Sequence, residues 1–175
     1  SEISGSALRQ VRKMLSDLSL RVVAVRLRTR RGYGELDELD RRVAATKEVM
    51  KMAHDLGAQV VCNQIGPVGS DASPESLTIL RSVIADLDRF GQHVGAFLAC
   101  ETGSESIEEL VAFLESLPES TIGLTLNPGN LLVNGFDLKG LPQAAKHVML
   151  VHAKDGVRDL ARGRGTEVPL GRGLA

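Results

Sequence analysis

Aromatic residues are scarce in this chain: 3% of 175 residues, with no Trp and one Tyr. Proteins that hold single-stranded nucleic acid stack bases on aromatic rings along a basic groove. The net charge is −1, so neither half of that device is visible and nucleic acid is not expected as a partner. No apolar run approaches the roughly 20 residues needed to span a bilayer, and no signal-peptide pattern precedes the first helix. No membrane partner is expected. Cysteine is sparse too. Cys62 and Cys100 fall in apolar, strand-like stretches and read as buried thiols of a reducing, cytoplasmic compartment, with a disulfide left open. The chain starts with Ser rather than Met and stops just after the Gly-rich "PLGRG", which reads as a piece of a longer protein.

What is present is ordinary for a globular protein: 43% hydrophobic and 25% charged residues. One domain over residues 1–175 is the expectation. "ALRQVRKMLSDL" (Ala7 to Leu18) carries apolar residues at helical spacing, and "RVVAVRLRT" (Arg21 to Thr29) reads as a strand. A long helix follows from Asp37, ended by Gly57. "AQVVCNQIG" (Ala58 to Gly66) is a second strand. A helix from Ser73 has Ser as N-cap and Pro at its first position, and ends at Gly91. "HVGAFLACE" (His93 to Glu101) is a third strand, and Ser104 to Pro118 is a helix with an acidic first turn. "TIGLTLN" (Thr121 to Asn127) is the fourth strand, Leu138 to His147 a weak helix, and "VMLVHAKDG" (Val148 to Gly156) the fifth strand. A Gly/Arg-rich loop completes the chain. Val61, Leu98, Leu126 and Leu150 are expected in the core.

Strands apolar on both faces and separated by helices imply a parallel sheet covered by helices, an α/β architecture. An open doubly wound sheet fits, and so does an incomplete (β/α)8 barrel of five parallel strands. A whole barrel needs roughly 250 residues. In either case functional groups gather at the C-terminal strand ends. Those ends carry Arg28, Thr29 and Arg30, then Cys62, Asn63 and Gln64, then Glu101, then Asn127 with Asn130 just beyond, then His152, Lys154 and Asp155. Each has a plainer explanation. Glu101 could cap the next helix, Asn127 before Pro128-Gly129 is ordinary turn chemistry, and a His within an apolar strand is often a satisfied core residue. His54, His93 and His147 read as structural or exposed. Arg162, Arg164 and Arg172 could be solvated charges, although Arg in a Gly-rich loop over a pocket suits a carboxylate or phosphate.

At "ACETG", "LTLNPGN", "VHAKDG" and "PLGRG" the chain resembles the xylose isomerase-like TIM-barrel superfamily of sugar phosphate isomerases and epimerases, from about Ala7 to the end. The resemblance implies a metal site on successive barrel strands. Glu101 matches a glutamate ligand and acid/base group, and His152 matches a histidine ligand. Asn127 stands where an aspartate ligand is expected, and Asn130 where a nearby His is expected. The five strands would be barrel strands three to seven. The implied cofactor is a divalent ion (Mn, Mg, Zn or Co), with Asn127 a weakened ligand because it brings no charge. Asn63, Asn130, Lys154, Asp155 and Arg164 would position a sugar or polyol. The implied activity is metal-assisted isomerisation or epimerisation. A carbohydrate-binding pseudoenzyme with a degraded metal site is the competing reading. An apurinic endonuclease-like protein is more distant, because those enzymes use a histidine-rich multi-zinc site and this chain has four His.

Overall fold

The computed structural model describes residues 5–159 and 163–175; Arg162 lies outside them. Helix α1 (Gly5–Asp17) leads into strand β1 (Ala24–Arg26), then α2 (Leu39–Leu56), β2 (Val60–Asn63), α3 (Pro74–Val94), β3 (Phe97–Glu101), α4 (Ile107–Glu115), β4 (Gly123–Leu126), α5 (Pro128–Val133), α6 (Leu141–Ala144) with a following 3-10 turn, and β5 (Val148–Val151). The five strands pair in parallel in chain order. They form a half-barrel with its helices on one face, an incomplete TIM barrel. No described helix is long and apolar enough to cross a membrane.

Helix boundaries follow local chemistry. Ser73 caps α3 by accepting the Ser76 N–H, with Pro74 next. Ser106 and Glu109 form a capping box at α4, so Glu101 does not cap that helix. Gly57 ends α2 in the left-handed conformation that glycine adopts without strain.

Side chains alternate between the two sheet faces. Val61, Leu98, Cys100 and Leu124 turn outward and pack against α2, α3 and α4, where Met50, Leu80, Ile84, Leu87, Leu110 and Phe113 complete the core. The register pairs Arg26 with Cys62, Cys62 with Ala99, and Glu101 with Thr125, which places this set on the inner face. Cys62 and Cys100 therefore sit on opposite faces, and both are free thiols.

Three sequence expectations are corrected. Leu126 and Leu150 are half-buried rather than core. In this sheet β5 is an outer strand, with Val151 53% exposed, and its register against β4 shifts between Leu124 and Thr125. The turn after Asn127 is a short helix, α5. The fifth strand stops at Val151, and its expected tail (Asp155–Val157, β6) pairs antiparallel with β7 (Thr166–Val168) inside the segment expected to be loop.

Candidate metal centre

The inner-face register brings chemistry to one point at the C-terminal strand ends. Glu101, the last residue of β3, is 3% exposed. Its Oε1 accepts from Asn127 Nδ2 at 2.9 Å and from His152 Nδ1 at 2.8 Å. Its Oε2 accepts from Arg26 Nη2 at 2.5 Å. Burial pushes the carboxyl up, but the hydrogen bonds from Asn127, Arg26 and His152 outweigh it and hold Glu101 below the usual carboxylate range. Glu101 is thus an ionised carboxylate clasped by three donors.

Asn127 serves two masters. Its Oδ1 accepts the Asn130 backbone N–H at 3.0 Å and caps α5. That bond assigns Oδ1 to the helix, so Nδ2 faces Glu101. The cap uses one lone pair of the oxygen expected as a weak metal ligand, and the amide brings no charge to an ion. The turn-chemistry explanation of Asn127 is therefore correct for its oxygen, while its amide belongs to the site.

A third donor stands in its place. The ligand-capable atoms of Cys62, Glu101 and His152 all lie within 4.8 Å of one another. Cys62 is fully buried on β2. Burial pushes its thiol up, an effect eased by the neighbouring Thr125 hydroxyl, which has no other hydrogen-bond partner among the described residues. This donor set fits a divalent cation. His152 Nδ1 and Glu101 Oε1 are 2.8 Å apart, closer than the roughly 3.4 Å between two ligands held about 2.0–2.2 Å from a tetrahedral ion, so the pair would part slightly to take one up.

The remaining expected residues divide. Asn63 is buried; its Nδ2 donates to the Tyr33 hydroxyl at 2.6 Å and its Oδ1 accepts from Thr29 at 3.2 Å. Asn130 donates to the Thr102 carbonyl at 2.7 Å. This approach is open because Gly103, at φ 123°, has no side chain to strike the Asn130 amide. Both asparagines, with Gln64, Arg28 and Arg164, line a cavity of about 250 Å³ beside Glu101. Lys154 instead pairs with Glu167 at 2.7 Å across the β6–β7 hairpin. Asp155 turns away altogether. Its carboxylate accepts from the backbone N–H groups of Gly156, Gly171, Gly173 and Ala175, which leaves it no free oxygen for a substrate.

Sequence reasoning missed Arg26, and it placed Cys62 at a strand end without counting it as a ligand. A signal existed for Arg26, since a charged residue in a three-residue strand of a helix-covered sheet must face something polar. Its partner lies 75 positions away, beyond the reach of local pattern.

The half-barrel is shared with known proteins. A xylose isomerase domain protein from Planctomyces limnophilus superimposes with a TM-score of 0.87 at 24% identity, covering 98% of this chain and 68% of its own. A xylose isomerase-like TIM barrel protein from Mycobacterium smegmatis, solved in complex with magnesium, gives 0.75 at 17% identity, with 99% and 65% covered. L-ribulose 3-epimerase gives 0.72 at 20% identity, with 96% and 59% covered. Other sugar epimerases and a zinc-bound protein share the fold. The chain thus spans about two thirds or less of these proteins' lengths. A comparison with curated proteins gave no match. A family model for the xylose isomerase-like TIM barrel matches residues 1–175, and this chain belongs to that family.

Proposed function

We propose that this chain forms the greater part of a sugar isomerase or epimerase site. The observation that carries the reading is the cluster of Cys62, Glu101 and His152 donors within 4.8 Å at the C-terminal strand ends. Those three residues would hold a divalent cation, whose chemistry when bound is to polarise a sugar carbonyl and its neighbouring hydroxyl. A mixed sulfur, nitrogen and oxygen set suits zinc or cobalt better than magnesium or manganese, which take oxygen donors. The substrate is a small sugar or polyol in the cavity beside Glu101. Arg26 fixes the second carboxylate oxygen, and Asn127 orients the first while anchoring α5. Glu101 serves as ligand and charge holder. Proton transfer through it is disfavoured in this arrangement, because three donors keep its carboxyl below the range useful to a general base.

A second reading is favoured by one observation. Arg26 and Asn127 already satisfy Glu101 without any ion, which suits a binding site that holds carbohydrate without turnover. Titration calorimetry with a ketose, in chelator and then with zinc, separates the two. Binding that needs the metal supports the isomerase reading. Binding indifferent to chelator supports the second. Binding in neither condition overturns both.

A further inference from the structure

The candidate metal centre already holds a cation of its own. Arg26 Nη2 reaches Glu101 Oε2 at 2.5 Å. The Glu101 side chain is 1% exposed and that of Arg26 33%, so the carboxylate meets solvent only past the guanidinium. Strand β1 fixes this placement. Its register sets Arg26 beside Cys62, and the next residue, Leu27, donates its N–H to the Cys62 carbonyl. The guanidinium therefore stands beside two of the three ligand residues, tied through the backbone to one and through an ion pair to the other.

We infer that Arg26 is a resident counter-ion that competes with the divalent cation for Glu101, and so keeps the metal centre weak and readily emptied. The inference rests on the proposed metal centre and adds what governs its loading. Two effects act together. Arg26 occupies Oε2, so Glu101 can ligate through Oε1 alone while the pair lasts. A carboxylate and a guanidinium in contact also cancel, so the pair offers an incoming cation little net attraction. One effect runs the other way. Burial raises the Cys62 thiol most, and Arg26 draws it back toward the thiolate that binds metal, but that pull is the weakest of the influences on it. A divalent ion at the same place feels the guanidinium twice as strongly as a single charge does, so opposition to the ion prevails.

The test is zinc affinity of the full chain, read by competition with a chromophoric chelator, beside thermal melting in excess chelator. Arg26→Met keeps the apolar stem and removes the charge. It should bind zinc about tenfold or more tightly than the parent, yet melt lower in chelator, because a buried carboxylate has lost its counter-ion. A residue that only braces the site would move both readings downward together. Arg26→Lys keeps the charge and should stay within a few-fold of the parent in zinc affinity. Should Arg26→Met not fold in chelator, zinc should refold it, since an ion that binds only the folded state draws the chain to it; failure to refold overturns the inference. Unchanged or weaker zinc binding by Arg26→Met, or an equal gain in Arg26→Lys, also overturns it and leaves the metal centre standing. Cys62→Ala reports on the centre itself. Zinc binding that survives this change, or is absent from the parent and every variant, removes the centre and the inference with it.

Discussion

At Asn127, one side chain's two ends decide what kind of site this is. A carboxylate there would keep the helix cap, since its oxygen can still accept the Asn130 N–H. It would also lose the donor to Glu101 and set two buried negative charges in contact. With chelator present, Asn127→Asp should therefore lower stability by about 3 kcal/mol or more, the cost of a buried charge left without compensation. Added zinc or manganese should recover much of that loss, because a cation then replaces the missing proton donor. Thermal melting in chelator and in metal measures both halves. A variant as stable as the parent in chelator would mean that the Asn127 to Glu101 contact contributes nothing. Read from its neighbours alone, Asn127 is a turn residue, and only the family resemblance placed it at the site. The sequence shows an amide before Pro-Gly, and its second partner comes from a strand 26 positions earlier.

Between the β2–α3 loop and the start of α4 sits a second buried acid with the opposite electrostatics. Glu105 is 5% exposed, and its Oε2 has no hydrogen-bond partner among the described residues. Burial, with repulsion from Glu109, pushes its carboxyl up to about 8, and the Val68 N–H only partly offsets this. The folded protein thus keeps a proton there that the unfolded chain releases near pH 4.3. Stability falls as pH rises from that value to about 8, because the folded state binds more protons across the interval. Glu105→Gln keeps the acceptor for Val68 and never ionises. It should match the parent near pH 4 and exceed it by on the order of 3 kcal/mol at neutral pH. Denaturant titrations at the two pH values check this, and an equal gap at both would refute the buried-acid account. The helices themselves were legible because their signals are local: Ser73 before Pro74, Ser106 three residues before Glu109, Gly57 after α2. Helix α5 was not. It has six residues, too few to show a period.

Across the whole molecule, the order of strands and helices could be read from alternating apolar runs and punctuation. The way the chain folds back on itself after β5 could not. That return depends on Asp155, which gathers the amides of Gly171, Gly173 and Ala175 from a stretch, "GRGLA", with no periodic pattern. The backbone hydrogen bond from Ala175 leads in holding the Asp155 carboxyl below its usual range. For such a depressed acid, the stabilisation is present above the ordinary pKa of about 3.9 and is lost as pH falls through the lower folded value. Asp155→Ala should thus release residues 171–175 at neutral pH, and strong acid should do so in the parent. Amide hydrogen exchange at Gly171, Gly173 and Ala175, faster by about tenfold or more, would show it. Unchanged protection in the variant would mean that the Leu174 bond to the Gly156 carbonyl suffices.

The two thiols, set on opposite faces of one sheet, make the chain its own pair of chemical reporters. An alkylating reagent reaches Cys62 only through the inner face, and Cys100 only when the helices lift from the outer face. Their labelling rates under mild denaturant therefore separate an opening of the pocket from a loss of the core, with no probe introduced.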